Sequence, residues 1–420
     1  MSSRPARRRL PIPNMPALTG AVFSHWRRER STVRQGLTAL GILVSVTTVA
    51  GLILGAMEGM LERLPGLLVL VPAAIGMRGA IFGAMGARLG TGIMTGQYTA
   101  DWGRESFLRQ NVEASMLLTV ITAGLLALLA RASAAAFGLP TISLWALLIV
   151  SFLAAAASSV AVLAVVLVLA RTAADRGWDM DAIGVPIIST FADISTLPAI
   201  MLAALAVGND VVQGVLGGVL GVAVLAATAA GLGHAGDIAR RIVNESLPVL
   251  AYAGTMGILA GTVLSARLEA LIASPALLVA IPPFISTCGA LGGILSARLA
   301  SQLHLGLVEP RRLPDRPALL DGTLVVLLAV AAFGAVGMLA QAASSVVGLA
   351  SPGVLRLILV ALLGGLLASA LLFLVSYYAA TTSYRFGLDP DNYGVPVVTA
   401  TMDFLGILCL VTAIALLGIG

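Results

Sequence analysis

Residues 142–170 and 211–232 contain no charged side chain. An α-helix rises about 1.5 Å per residue, so about 20 such residues cross the hydrocarbon core of a bilayer. A helix also pairs every backbone group within its own segment, as a lipid environment demands. Comparable runs recur along the whole 420-residue chain, of which 59% is hydrophobic and 11% charged. A soluble domain carries about 25% charged residues. The expected fold is therefore all-α and polytopic, with about eleven transmembrane helices. The spans fall at 35–56, 65–90, 112–137, 142–170, 183–207, 211–233, 246–266, 275–300, 322–347, 353–380 and 393–418.

All 25 basic residues are arginine, and the net charge is +5. Eight of them stand between Arg4 and Arg34, without the aromatic interleaving of a nucleic-acid surface. Nucleic acid is therefore not an expected partner; the lipid bilayer is. With the N-terminus inside, only Arg63, Arg131, Arg267 and Arg356 fall in outer connections or toward the outer ends of spans. Arg78 lies within a span, and the other 20 face inward. The positive-inside bias thus predicts a multi-pass protein of the cell (inner) membrane, N-terminus cytoplasmic and C-terminus outside. The first span reads as an uncleaved signal anchor. Cys288 and Cys409 sit in apolar runs and read as small core residues.

An internal repeat organises the chain. Shifted by 210 residues, VPAAIGMRGAIFGAMGARLGTGIMTG (71–96) aligns without gaps to IPPFISTCGALGGILSARLASQLHLG (281–306), with nine of 26 positions identical. At the same shift DMDAIGVPIISTFAD (179–193) aligns to DPDNYGVPVVTATMD (389–403), with six of 15 identical. A constant offset that matches Asp, Pro and Arg as well as apolar residues points to duplication. The expected organisation is a basic cytoplasmic tail at 1–34, a first repeat at 35–207, a linker with one span at 208–245 and a second repeat at 246–420. Five spans alone would invert the second copy, and the linking span restores its direction. The two five-helix repeats are thus expected to run parallel, about a pseudo-twofold axis along the membrane normal. The chain would act as a monomer that is itself a fused pseudo-dimer.

Ionisable groups are costly in the hydrocarbon core, so a carboxylate in mid-span is a functional candidate by default. Asp193 and Asp403 are the two that sit well inside a span, at matching positions of the two copies. Symmetry would bring them face to face, where like charges repel. A divalent cation relieves that repulsion. Mg²⁺ fits because it keeps several waters and takes one or two carboxylates. Ser189, Thr190, Ser195, Thr196, Thr399 and Thr401 offer hydroxyls nearby, and Pro186 and Pro396 free backbone carbonyls upstream. A purely structural role would pair each aspartate with an arginine or a hydroxyl. Arg78 is the one arginine clearly within a span, and it cannot serve both.

Pro72 and Pro282 precede Gly-rich stretches containing Gly79 and Gly289, which read either as closely packed kinked helices or as broken helices lining a pathway. Asp179, Asp181, Asp389 and Asp391 stand at helix starts, where capping accounts for them; an inner cation site is the other reading. Glu58, Glu62 and Glu269 fall at the outer mouth and read as solvated charge. The three histidines form no cluster, and with no lysine there is no phosphate-cradling loop of the G-x-x-x-x-G-K type. Nothing points to an enzyme or to an organic cofactor.

The segment Leu70–Gln97 resembles the second helix of the MgtE and solute carrier 41 magnesium transporters, and Asp179–Ala199 and Asp389–Leu410 resemble the family's last helix. The resemblance covers about 35–207 and 246–418, an arrangement similar to solute carrier 41, with both units in one chain. It implies a pore-lining, ion-binding role for Asp193 and Asp403, and Mg²⁺ as the transported ion. Ala80 and Ala290 stand where the family often has Asn. The tail at 1–34 is short beside the sensor domains of bacterial MgtE, so gating by such a domain is not expected within this chain. The expected function is thus a divalent cation transporter or channel, passing a partly hydrated ion between the repeats. The alternatives are a secondary transporter of another solute, using the same aspartates for proton or Na⁺ coupling, and a membrane scaffold.

Overall fold

A computed structural model describes residues 15–103, 105–177, 180, 184–233, 237–386 and 394–419. Among them are fourteen helices and no strand. Eleven are long and apolar enough to cross a membrane. These are α2 (Arg30–Ala56), α4 (Leu67–Met94), α5 (Phe107–Ala136), α6 (Leu144–Arg176), α7 (Val185–Leu205), α8 (Asp210–Gly233), α9 (Asp237–Ser265), α11 (Ala276–His304), α12 (Arg316–Val347), α13 (Val354–Arg385) and α14 (Val395–Leu416). Each expected span has its helix. Sequence reading missed α1 (Met15–Arg28), which occupies part of the expected tail, and the short α3 (Glu58–Arg63) and α10 (Leu268–Ala273).

Local signals set the ends. Ser106, Ser143 and Asp315 each accept a backbone N–H of the first turn, at 3.1, 3.1 and 3.3 Å, capping α5, α6 and α12. Gly138 and Gly348 follow α5 and α12 at φ 66° and 78°, and Gly96 and Gly306 follow α4 and α11 at 72° and 69°. A left-handed residue past a helix end is nearly always glycine. Both pairs are 210 apart, as are the starts and ends of α3 and α10. The duplication therefore extends well beyond the two blocks legible in the sequence.

Within each copy the last four spans pack on one another: α4, α5, α6 and α7 in the first, α11, α12, α13 and α14 in the second. The first span of each copy crosses over. α2 lies against α11 and α12, and α9 against α4 and α5. Glycine makes these crossings close. A Cβ on Gly51 would fall 2.0 Å from the Val279 carbonyl oxygen, and one on Gly261 would fall 2.2 Å from that of Val69. Gly51 and Gly261, like Val69 and Val279, are 210 apart, so the same backbone-to-backbone contact occurs twice. The unpaired span α8 stands at the periphery on α5 and α6. Cys288 and Cys409 are buried and free.

One polar cluster sits between the ends of α11 and α12. Asp321 is fully buried and accepts from Arg298 Nη2 at 2.8 Å and Gln302 Nε2 at 2.5 Å, with His25 Nε2 at 3.2 Å. The first copy has Arg88 donating to Asn111 at 2.9 Å in the matching place. The expected start of this span, at 322, put Asp321 outside it. Asp321→Asn is expected to cost about 3 kcal/mol, since it leaves Arg298 and its partners without their buried charge. A lower thermal unfolding midpoint in detergent would register it.

Candidate functional site

Val185 and Val395 open α7 and α14 with a proline in the first turn, where its missing N–H costs nothing. Pro186 and Pro396 stand in the first turn of these α-helices, which start directly after Gly184 and Gly394, whose backbone is already helical. Asp193 and Asp403 follow eight residues later, about 12 Å along each axis at 1.5 Å per residue. Both side chains are enclosed by protein yet remain partly accessible to water.

The two aspartates meet the opposite copy at matching places. Asp193 Oδ2 accepts a hydrogen bond from Ser286 Oγ of α11 at 3.1 Å. Asp403 Oδ2 lies where a Cβ on Gly76 of α4 would come within 3.3 Å. Residues 76 and 286 are again one repeat apart, so one surface is used twice, once with a hydroxyl and once bare. Asp403 Oδ1 is 3.9 Å from the corresponding point on Gly289. Ser286 and Gly289 stand three residues apart on α11, so both carboxylates meet the same face of that helix. Structure thus brings together Asp193, Asp403, Gly76, Ser286 and Gly289, and Gly79 occupies the position in α4 that Gly289 holds in α11.

Among the described residues no basic side chain pairs with either aspartate. Arg78 is 1% exposed and donates instead to Thr119 Oγ1 at 3.1 Å and Ser159 Oγ at 2.8 Å. Its counterpart Cys288 is buried close to Asp403. Among the described residues the arginine half of the structural alternative is thus not seen, whereas Asp193 does have a hydroxyl partner in Ser286.

Accessibility along the two central helices is one-sided. From Leu67 to Ala73 and from Ala276 to Ile285 every residue is buried. Beyond those points a stripe opens at helical spacing: Gly76, Gly79, Ala80 and Ala84 on α4, and Ser286, Gly289, Ala290 and Gly293 on α11. Residues three and four apart share a helix face. The stripe begins beside the aspartates and runs toward the end where α4 and α11 stop and α7 and α14 start.

Of the flanking hydroxyls, Ser189 and Thr190 are partly accessible one turn before Asp193. Thr399 donates to the Pro396 carbonyl at 3.1 Å. Ser195 and Thr196 both bond back to the Ala192 carbonyl. Thr401 bonds to the Val397 carbonyl and meets Tyr252 Oη of α9 at 2.7 Å. Asp179, Asp181, Asp389 and Asp391 lie outside the described residues. Glu62 and Glu269 are exposed on α3 and α10, and Glu58 is half-buried. Among the described residues no three carboxylate, imidazole or thiol groups gather as a metal cluster. Sequence reasoning missed Ser286, although the aligned blocks display it opposite Gly76.

Residues 71–203 and 281–413 each match the family model MgtE, described as divalent cation transporter. The chain belongs to the MgtE divalent cation transporter family. The two MgtE matches keep the offset found in the sequence and the helices, since 71 maps to 281 and 203 to 413. Together they span α4 to α7 and α11 to α14, and hold both aspartates and Ser286. No curated protein and no solved structure matches the chain. It is thus a multi-pass member of a family of divalent cation transporters.

Proposed function

We propose that this MgtE chain passes Mg²⁺ between its two repeats, with Asp193 and Asp403 as the ligands at the centre of the path. The observation that carries the reading is the crossed pairing of the two carboxylates. Each lies against the other repeat's central helix, at the same position, and among the described residues no arginine neutralises it. Two partly desolvated carboxylates that act on each other repel. One doubly charged ion removes the repulsion and leaves the pair neutral.

Bare glycine surfaces at Gly76, Gly79 and Gly289 leave room for the ion's water shell, which Mg²⁺ gives up reluctantly. Ser189, Thr190 and Thr399 stand one turn before the aspartates, on the same end as the accessible stripe, and hydrogen-bond waters entering it. A single chain supplies both halves of the site, so it functions as a monomeric pseudo-dimer. Arginine placement supports an N-terminus in the cytoplasm, a C-terminus outside and residence in the cell membrane.

Ser286 makes the halves unequal. Its hydroxyl holds Asp193 and has no equivalent at Gly76, so Ser286→Ala is expected to weaken ion binding about tenfold, the typical worth of a hydrogen bond to a charged group. Mg²⁺ titration of the purified protein measures this, and an unchanged affinity would remove Ser286 from the site. The function itself is tested by Mg²⁺ flux into liposomes holding the purified protein, with and without a Na⁺ gradient. Flux that is selective for divalent cations and independent of other solutes is the expected result.

A further inference from the structure

At the arginine-rich end of the bundle, α1, the end of α11 and the start of α12 line an open cleft of about 300 Å³. Arg28, Arg316, His25, Glu29 and Gln302 line it, with Leu320 as an apolar wall. The acids of this region are already engaged. Glu29 accepts from Thr32 at 2.9 Å and from Arg298 at 3.1 Å. The Thr32 hydroxyl and the Arg298 charge hold its carboxyl below the usual range, so it stays ionised and paired. Asp321 is taken by Arg298, Gln302 and His25.

Two guanidinium groups are left over. Arg28 has only a 3.4 Å contact to the Ser24 carbonyl, and Arg316 has no side-chain partner among the described residues. Guanidinium carries a permanent charge and a planar fork of donors matched to phosphate oxygens. Two such groups over one cleft, beside the first residues of α2 and α12, stand at the level where lipid headgroups lie.

The duplication supplies an independent argument. At the matching positions of the other half stand Ile238 for Arg28, Ala239 for Glu29, Gly92 for Gln302 and Ser106 for Arg316. These four lining residues are therefore not repeated in the other half. Neither the repeat fold nor the paired aspartates require them.

We propose that this cleft binds a phosphate-bearing anion through Arg28 and Arg316, either the headgroup of an anionic phospholipid or a free phosphate. The test uses the full-length protein in phosphatidylcholine nanodiscs and Mg²⁺-free buffer. One arm adds inorganic phosphate against chloride at equal ionic strength. The other adds phosphatidic acid to the nanodisc in phosphate-free buffer. In at least one arm the unfolding midpoint is expected to rise by about 3 °C, as for a ligand that binds only the folded state, with one ligand retained per chain in native mass spectrometry. A response to phosphate alone assigns a free anion, and a response to phosphatidic acid alone assigns a headgroup.

Arg28→Gln with Arg316→Gln should remove the shift and weaken retention about tenfold. Arg316→Gln alone should weaken it in the same direction without touching α1. No shift and no retained ligand in the unaltered protein would overturn the proposal, as would shift and retention undiminished in the variants. Ion flux is not among the readouts, so the outcome is independent of the role of the aspartates.

Discussion

Replacing Asp193 and Asp403 together by asparagine is expected to abolish Mg²⁺ flux, by about a hundredfold or more, while the protein still folds and reaches the membrane. Asparagine keeps the shape and hydrogen-bonding reach of the side chain and removes only the charge. The carboxylate oxygens stand among glycines and one serine hydroxyl, with no arginine left unpaired by the change. Fold stability should therefore hold, or improve slightly as the mutual repulsion disappears. A divalent ion, in contrast, would have to give up part of its hydration with no negative charge to meet it. Bringing an unpaired charge into such a site costs several kcal/mol, enough for a hundredfold loss. Flux assays in liposomes, with the unfolding midpoint recorded in parallel, separate this result from simple misfolding. Retained flux in the double variant would remove the aspartates from the path.

The second large effect concerns assembly of the two halves. Gly51→Val and Gly261→Val should each lower the unfolding midpoint by about 5 °C or more, or prevent a monodisperse preparation. The reason is geometric. A Cβ at Gly51 would sit 2.0 Å from a carbonyl oxygen of α11, and one at Gly261 would sit 2.2 Å from a carbonyl oxygen of α4. Backbone cannot swing aside as a long side chain can, so the helices must separate. Overpacking of this kind costs about 1–3 kcal/mol even where neighbours adapt. Close backbone approach through small residues also favours helix association within lipid, through van der Waals packing. Gly41, in the same helix as Gly51, has nothing within 4 Å of its Cβ position. Gly41→Ala should therefore be neutral or stabilise the helix by up to about 1 kcal/mol. Equal destabilisation at Gly41 and Gly51 would show that the crossing contact is not what holds the halves together.

Much of this architecture could be read in the chain, for identifiable reasons. Spans were legible because backbone pairing in lipid forces long uncharged runs, and such runs survive sequence drift. The duplication was legible because Pro72 and Pro282, Arg88 and Arg298, and Asp193 and Asp403 kept a fixed offset within otherwise interchangeable apolar residues. The crossing of α2 and α9 onto opposite copies was not legible, since hydropathy fixes that a helix spans and not which neighbour it touches. Glycines at the crossings, among them Gly51, Gly55, Gly257 and Gly261, carry a trace of it, but glycines are frequent in this chain.

Asp321 escaped notice because it sits at a span boundary, where acids are ordinarily solvated; burial against Arg298 is a tertiary fact. Ser286 escaped because a serine in a transmembrane helix usually bonds to its own helix backbone. Its reach to Asp193 depends on how α7 and α11 meet.

The proposed site lies between two copies of one unit, and its proposed ligands are therefore testable as a pair. The most direct test is the anomalous difference density of a crystal grown with Mn²⁺, a divalent ion that seeks the same oxygen ligands. One peak lying between the carboxylates of Asp193 and Asp403, near the Ser286 hydroxyl, is the predicted result. A peak elsewhere in the bundle, with the two aspartates empty or turned away from each other, would contradict the account.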